Sequence, residues 1–265
     1  PVDDIVAEAR SLVERGAREI TLLGQKVNSY LVGDADFAAL LEQLDAVEGL
    51  LRLRFTSPHP RFMSERLVSC FGRLPTLCES IHLPVQSGSD TVLRRMRRRY
   101  DSGLYRDVVA ALRRACPEIA VSTDLIVGFP GETEQEFEET LALIEDVRFS
   151  GAFSFKYSPR PGTRAAKLLD DVPAEEKSRR LAEVHRVIGQ LETEARQRLV
   201  GDRLEVLVES RGRNPGQFSG RARNSQIVNF VPEKGDSLEE IRGRLCTVEV
   251  TAALPHSLEG RPPER

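Results

Sequence analysis

Two hydrophobic patterns alternate along the first part of the chain and together predict its secondary structure. Apolar residues recur every three or four positions over Asp3–Arg15, the spacing of an amphipathic helix, and Gly16 ends it. The continuous apolar run Glu19–Gly24 follows and has the length of a buried strand. Further helices are predicted over 37–44, Ser64–Phe71, Asp90–Arg99, Leu104–Ala115 and 133–144, and further strands over Leu51–Thr56, Ser80–Val85, Ile119–Gly128 and Phe153–Tyr157.

The five predicted strands are separated by helical stretches, which indicates consecutive βα units and a parallel sheet. The fourth strand contains the almost uninterrupted apolar run Leu125–Phe129, as expected for a strand that is buried on both faces. Thr133 and Glu136 form a capping-box signature before the next helix. The patterns predict an α/β fold, and they fit a (βα) barrel and an open doubly wound sheet equally well.

The pattern changes after Pro173. A long charged helix with one apolar stripe is predicted over Ala174–Leu199, and the helical period disappears beyond Gly201. Short strands are then predicted over Arg203–Glu209, Gln217–Arg223, Gln226–Val231 and Leu245–Ala252. They indicate a small all-β module that closes into a barrel. We therefore expect a core over 1–199, with 174–199 as its linking helix, a β module over 200–260 and a loose tail over 261–265.

Composition and charge exclude several classes of protein. Apolar residues make up 40% and charged residues 30% of the 265 residues, and no apolar run has the roughly 18 residues of a membrane span. The segment Pro1–Asp4 lacks the features of a signal peptide, so we expect a cytoplasmic protein without a membrane partner. We also expect the protein to be a monomer. Because Pro1 leads directly into a helix, we expect this boundary to lie within a longer protein. The net charge of −3 provides no global attraction for nucleic acid.

The four cysteines do not form a recognisable metal site. Cys70, Cys78, Cys116 and Cys246 are too far apart for a CxxC zinc motif or a dense disulfide framework. We interpret them as small buried apolar side chains. The histidines form no HExxH-type pair either, so the sequence predicts no metal site within this chain.

Each predicted strand is followed by a segment of Gly, Pro and small polar residues. The five segments are Gly24–Tyr30, Thr56–Pro60, Pro84–Asp90, Gly128–Glu132 and Tyr157–Thr163. A βα turn with a helix cap explains any one of them, but parallel βα folds bring all five to the edge where ligands bind. No P-loop or GxGxxG motif is present, so a nucleoside suits these segments better than a pyrophosphate. We expect His59 to contact the ligand and His82 to serve packing or a backbone hydrogen bond.

A basic cluster lies beside this predicted rim, at Arg94, Arg95, Arg97, Arg98 and Arg99. Such a run is usually a solvated helix face, but its place next to a ligand-binding edge favours contact with phosphate. The β module combines Arg221, Arg223, Asn224 and Asn229 with nearby phenylalanines. Guanidinium, amide and aromatic groups on a small barrel are suited to RNA.

Five segments of the core resemble the methylthiotransferase family of radical-SAM enzymes, and its MiaB branch in particular. They are LLGQKVNSY (Leu22–Tyr30), FTSPHP (Phe55–Pro60), IHLPVQSGSDTVLRRMRRRY (Ile81–Tyr100), STDLIVGFPGET (Ser122–Thr133) and FKYSPRPGTRAA (Phe155–Ala166). The C-terminal module resembles a TRAM domain through GRARNSQIVNF (Gly220–Phe230) and ALPHSLEG (Ala253–Gly260). The motifs cover essentially the whole chain in the family's order.

The resemblance implies a partial radical-SAM (βα) barrel followed by a TRAM domain that binds RNA. It implies tRNA as the partner and N6-isopentenyladenosine beside the anticodon as the target, converted to its 2-methylthio derivative. It implies S-adenosylmethionine (SAM) and two 4Fe-4S clusters as cofactors. The residues that it assigns to SAM are Gly24, Gln25, Ser57, His59, Gln86, Ser87, Asp124, Ile126, Gly128, Tyr157 and Ser158. In the TRAM domain it assigns Arg221, Arg223, Asn224 and Asn229 to tRNA.

The chain also departs from the family pattern. Lys26 and Arg164 stand where asparagine and proline are expected. The CxxxCxxC loop that ligates the radical-SAM cluster is absent, so this chain alone is expected to be inactive. Two alternatives stay open: a sister methylthiotransferase that acts on a ribosomal-protein aspartate or on threonylcarbamoyladenosine in tRNA, and a non-catalytic tRNA-binding fragment. The electron donor and the sulfur source are not identified by the sequence.

Overall fold

The computed structural model of the protein describes residues 1–232 and 237–263. Its first part contains α1 (Val2–Glu14), β1 (Glu19–Leu22), β2 (Leu31–Val32), β3 (Ala35–Asp36), α2 (Phe37–Asp45), β4 (Arg52–Phe55), α3 (Glu65–Arg73), β5 (Ser80–His82), α4 (Asp90–Arg95), α5 (Ser102–Ala115), β6 (Ala120–Val127), α6 (Glu134–Val147) and β7 (Gly151–Lys156). The helix α7 (Ala174–Arg198) leads to the second part, which contains β8 (Arg203–Arg211), β9 (Phe218–Ala222), β10 (Ile227–Phe230), α8 (Leu238–Ile241), β11 (Leu245–Ala253) and β12 (Leu258–Arg261).

Apart from the hairpin β2–β3, the strands of the first part are parallel and follow one another in the order of the chain. β1 pairs with β4, while β5, β6 and β7 form a second group. A parallel bridge between Leu53 and Leu77 joins the two groups, with the amide of Cys78 donating to the carbonyl of Leu53 at 3.1 Å. No reversal of strand order occurs, so of the two architectures that the sequence allows this one is the (βα) barrel, built in part.

The two faces of the sheet have different chemistry. Along β6, Val121, Leu125 and Val127 are almost completely buried against the helices, whereas the intervening Asp124 and Ile126 are only half-buried on the inner face. Burying each large aliphatic side chain contributes about 1.5–3 kcal/mol, so the helix-facing side holds the core together. The inner face is left free for ligand chemistry.

Side-chain caps begin several of the helices that cover this sheet. Asp36, Ser64 and Asp101 each accept a hydrogen bond from the backbone amide three residues ahead. Thr133 and Glu136 form the predicted capping box at the start of α6. A cap of this kind stabilises a helix by about 1 kcal/mol. These caps fix where the four helices start.

Helix α4 is shorter than predicted, because it ends at Arg95 rather than at Arg99. Arg97 has a left-handed backbone with φ of 57°, and the amide of Arg98 donates to the carbonyl of Leu93 at 2.8 Å. This geometry closes a helix C-terminus. Arg97, Arg98 and Arg99 therefore belong to a loop rather than to a helix face.

The second part is a closed five-stranded barrel, as predicted, in the order β10-β12-β11-β8-β9. The strand that closes it, β12, is not among the predicted strands, because its sequence Leu258–Arg261 is short and half charged. It pairs with β10 and β11, so Arg261 belongs to the barrel and not to the predicted loose tail. Residues 264–265 of that tail lie outside the described residues. The short hairpin β2–β3 and the one-turn helix α8 are also absent from the sequence prediction.

Buried arginines attach the barrel to the amino-terminal ends of the core strands. Arg52, which is fully buried, donates to the backbone carbonyls of Arg221 and Glu205. Arg54 donates to the carbonyls of Ala222 and Arg223, at 3.1 and 3.0 Å. Hydrogen bonds from a charged donor contribute about 1.5–3 kcal/mol each. The small barrel is therefore fixed to the edge of the sheet opposite to the strand ends that were predicted to bind a ligand.

Candidate active site and nucleic-acid interface

A cleft of about 700 Å³ opens at the carboxyl-terminal ends of β5, β6 and β7. Five of the residues predicted to contact SAM line it: Gln86, Asp124, Ile126, Tyr157 and Ser158. The same cleft is lined by Arg95, Arg97 and Arg98 from the predicted phosphate-binding cluster. The fold thus brings the two predicted groups of residues to one place.

The backbone is left-handed at three non-glycine strand ends. Lys26 after β1, Ser57 after β4 and Gln86 after β5 have φ values of 54°, 56° and 75°. This conformation costs about 1–3 kcal/mol and is retained where the surrounding structure requires it, often at ligand sites. Two backbone hydrogen bonds hold Gln86 in this conformation. Its backbone amide donates to the carbonyl of Asp124 at 2.8 Å, and its backbone carbonyl accepts from the amide of Ile126 at 2.9 Å.

The loop after β6 is fixed from behind by helix α7. The amide of Gly128 donates to Glu132 Oε2 at 2.6 Å, and Arg180 Nη1 donates to the same oxygen at 2.8 Å. Gly128 has φ of 68°, and a Cβ there would lie 2.3 Å from Cγ of Lys177. Burial raises the pKa of Glu132, and the hydrogen bonds from Gly128 and Arg180 oppose that rise. Gly128 therefore shapes the loop without lining the cleft.

The remaining predicted SAM contacts on β1 and β4 lie on the same edge but outside the lining of the cleft. Gly24, Gln25 and Ser57 are exposed. His59 is half-buried and its ring contacts Tyr100 edge-on, with centroids 5.2 Å apart. Burial lowers the pKa of His59, and the charges of Lys26, Arg98 and Arg61 lower it further. His59 is thus favoured as a neutral group among cations.

Ser87 is directed away from the cleft. It is fully buried, its hydroxyl lies 3.2 Å from Thr140 Oγ1, and that hydroxyl accepts from the amide of Ser89 at 3.1 Å. The same Thr140 oxygen accepts from the amide of Gly88 at 3.0 Å. These contacts attach the loop after β5 to α6 and leave Ser87 without access to a ligand in this arrangement.

His82 has a polar role that the sequence prediction missed. The expected packing is present, because its ring contacts Phe153 edge-on with centroids 5.7 Å apart. The ring also lies on the inner face, where Nε2 is 3.2 Å from Asp124 Oδ1. Its Nδ1 is 3.0 Å from Ser122 Oγ. These three residues form a polar chain that orients the Asp124 carboxylate in the cleft. The alternation of β5 could have revealed this, because His82 is two residues from the inner-facing Ser80.

Several polar atoms in the cleft lack a hydrogen-bond partner among the described residues. They are Nε of Arg95, Nε of Arg98 and the hydroxyl of Tyr157, all of them buried atoms. Arg95 otherwise donates to Glu136 Oε2 at 2.7 Å. Buried polar groups are nearly always paired, so these three atoms leave unused hydrogen-bonding capacity in the packing beside the cleft. Arg94, Arg97 and Arg99 are exposed.

The predicted RNA contacts of the β barrel lie largely at the junction with the core. Arg223 donates to both carboxylate oxygens of Glu79, at 2.6 and 2.8 Å, and to the carbonyl of Leu77. Arg221 lies 3.5 Å from Glu209, and its carbonyl accepts from Arg52. Asn224 accepts from the amide of Gln226 at 3.2 Å. Asn229, on β10, donates to the hydroxyl of Ser257 at 3.2 Å.

The residues that the structure describes do not fit an iron–sulfur cluster. No group of three or more potential His, Cys, Asp or Glu ligands occurs among them. Cys70, Cys78 and Cys116 are buried, and burial raises the pKa of each thiol. Thiols in this state are poor metal ligands. No helix in the described part of the chain is long and apolar enough to cross a membrane.

Two family models match the chain. The model of the Radical SAM superfamily matches residues 1–144, more than half of the chain, and the model of the TRAM domain matches residues 197–262. The chain belongs to the radical SAM superfamily. This confirms the predicted order of a radical-SAM core followed by a TRAM domain.

Curated relatives match nearly the whole radical-SAM chain. A tRNA-2-methylthio-N(6)-dimethylallyladenosine synthase from Pelobacter propionicus is 50% identical over 260 residues, which are 97% of this chain and 58% of that protein. A protein of the same name from Bordetella pertussis is 45% identical over 98% of this chain and 59% of its own length. The chain thus spans less than two thirds of the relatives that it matches.

Solved structures support the fold. Coproporphyrinogen III oxidase of Escherichia coli, a radical SAM enzyme, has a TM-score of 0.55 at 15% identity, covering 84% of this chain and 60% of that one. A radical SAM methyltransferase from Kitasatospora setae has a TM-score of 0.51 at 13% identity, covering 91% of this chain and 38% of that one. At these identities the likeness concerns the fold alone. The predicted partial (βα) barrel is confirmed.

Proposed function

We propose that the full-length protein is a tRNA methylthiotransferase that converts N6-isopentenyladenosine, next to the anticodon, into its 2-methylthio derivative. The observation that carries the proposal is the cleft at the strand ends, where candidate SAM residues and candidate phosphate-binding arginines meet. The names of the relatives, at 45% and 50% identity, agree with this assignment. The cytoplasm follows as the compartment, since tRNA is the substrate.

The cleft suits SAM by its chemistry. The Asp124 carboxylate, oriented by His82 at 3.2 Å, accepts hydrogen bonds, and Gln86 and the hydroxyl of Tyr157 add neutral polar groups. Ile126 provides an apolar surface for a base. SAM supplies the radical that activates the substrate once it is reductively cleaved. The protein's own residues bind and orient the nucleoside and exclude water.

The cluster chemistry must use ligands from elsewhere in the full-length protein. The four cysteines of this chain are separated and three of them are buried, so we assign none of them to a cluster. The expectation that the 265-residue chain alone is inactive therefore stands.

The test is to reconstitute the full-length protein anaerobically and incubate it with SAM, a reductant and isopentenylated tRNA. Mass spectrometry of the digested nucleosides should show the 2-methylthio product, and a parallel reaction without SAM should not. If 5′-deoxyadenosine forms and that nucleoside does not, the substrate belongs to a sister methylthiotransferase, acting on threonylcarbamoyladenosine or a ribosomal-protein aspartate. If neither product forms but tRNA binds, the non-catalytic tRNA-binding alternative holds.

A further inference from the structure

We propose that the cleft holds an unstacked RNA base on Phe155 while arginines on two loops bind the flanking phosphates. One loop is 96–98 after α4, and the other is 160–164 after β7. The inference rests on the proposed function and deepens it, because it assigns RNA binding to three further residues of the cleft: Phe155, Arg160 and Arg164.

The two loops line the same cleft. Arg97 and Arg98 line it from one loop, and Arg160 and Arg164 line it from the other. Together with Arg95 and Lys156 they make six basic side chains in the lining, against the single carboxylate of Asp124, which already faces His82. Such a concentration of one sign of charge attracts a polyanion even though the net charge of the chain is −3.

Four of the arginines that line the cleft have no carboxylate partner among the described residues. Within the described residues, Arg97, Arg98, Arg160 and Arg164 take part in no ion pair or side-chain hydrogen bond. By contrast, all five arginines of α7 are paired with glutamates. Unpaired guanidinium groups keep their full capacity for phosphate, so an RNA backbone can bind these four arginines without breaking an ion pair.

An exposed aromatic side chain lines the same cleft. Phe155 lies on β7, the edge strand of its sheet, is 54% exposed and lines the cleft together with Tyr157. Phe153, on the same face of β7, is 63% exposed, and neighbouring exposed apolar side chains of this kind mark interaction sites. A nucleobase turned out of a single-stranded loop covers such a ring by stacking, and flanking arginines hold its phosphates. An acidic protein segment would use the arginines but not the ring, so RNA fits both features.

Binding of an RNA hairpin to the full-length protein, measured over a range of salt concentrations, tests the phosphate contacts. The hairpin carries isopentenyladenosine in its loop. We expect Arg160→Gln/Arg164→Gln to weaken binding on the order of tenfold at physiological salt and to reduce the slope of log K against log salt by about 1.4, two contacts at about 0.7 each. The matched control is Arg10→Gln/Arg114→Gln, which removes the same charge from exposed positions outside the cleft.

Fluorescence tests the stacking. With 2-aminopurine in place of the target adenosine, binding should quench the emission, and Phe155→Leu should abolish the quenching while Phe155→Tyr keeps it. The proposal is overturned if both arginine pairs change the salt slope equally, if Phe155→Leu quenches normally, or if an acidic peptide binds and the hairpin does not. These binding measurements need no turnover, so they separate this inference from the proposed reaction, which nucleoside analysis tests on its own.

Discussion

At the scale of single residues, the surroundings of a side chain in the site determine its protonation state. His59 is the clearest case, because burial and three nearby cations, Lys26, Arg98 and Arg61, lower its pKa from the usual 6.5. The neutral imidazole accepts a hydrogen bond from the amide of Arg61 at 3.2 Å and so begins the short turn at Pro60. A proton on His59 would add a fourth positive charge to this group.

The free energy of unfolding should therefore depend on the state of His59. Below about pH 6.5 the unfolded chain takes up a proton that the folded chain refuses, so stability falls as the pH falls from 6.5 toward the lowered pKa. His59→Gln should remove this part of the acid sensitivity and leave stability above pH 7 little changed. Urea unfolding at several pH values measures this pH dependence of the free energy of unfolding. The control is His185→Gln, which replaces an exposed histidine on α7. An unchanged slope between pH 5 and 6.5 would contradict the assignment.

A substitution at Gly128 should be costly, because backbone strain and steric overlap act together there. Its φ is 68°, and an added Cβ would lie 2.3 Å from Lys177 Cγ. Gly162 has φ of 83° but open space around it. Gly128→Ala should cost about 1–3 kcal/mol more than Gly162→Ala, since only the first adds overlap to backbone strain. Thermal unfolding of the two variants gives the difference, and equal losses would show that Lys177 moves away freely.

At the scale of elements, α7 does more than connect two domains. Its first turns carry Lys177, Arg179 and Arg180, which contact Asp170, Glu134 and Glu132 around the loop that follows β6. The guanidinium of Arg180 also lies 5.4 Å from the centroid of the Phe137 ring. The helix therefore supports the rim of the cleft from behind, and it explains why the loop at Gly128 has a defined shape.

Removing Arg180 should leave an uncompensated buried carboxylate. We expect Arg180→Met to lower the free energy of unfolding by about 3–5 kcal/mol, whereas Glu132→Gln/Arg180→Met recovers much of the loss. Without Arg180 the pKa of Glu132 rises further, so the loss should grow as the pH rises above 4.5, where the unfolded chain ionises first. Chemical unfolding of both variants at two pH values tests this. A double variant as unstable as the single one would argue against the buried-charge explanation.

At the scale of the whole molecule, the TRAM barrel and the cleft occupy opposite edges of the core sheet. The turn between β9 and β10 is held by Arg54, Ser80 and Glu79 of the core. The motif GRARNSQIVNF thus includes residues that attach the two domains, whatever further contacts Arg221 and Asn224 make with RNA. A barrel attached in this way has a fixed position relative to the cleft.

Substitution of Arg223 tests whether this residue attaches the barrel to the core or binds RNA. Arg223→Met and Glu79→Gln should each lower stability by about 1–3 kcal/mol, and the double variant should lose less than the sum, because both remove one interaction. The salt slope for RNA binding should stay unchanged in Arg223→Met, in contrast to the cleft variants. A slope reduced by about 0.7 would instead assign Arg223 to a phosphate.

The sequence by itself determined the βα alternation, the all-β module, the domain order and the polar strand ends, because each depends on local periodicity or on contiguous motifs. The tertiary structure decided what depends on distant partners. It placed His82 against Asp124, turned Ser87 into the core, ended α4 at Arg95, closed the small barrel with β12 and gave Arg223 a carboxylate from the core. These outcomes follow from contacts between residues far apart in the chain, and hydrophobic spacing contains no information about such contacts.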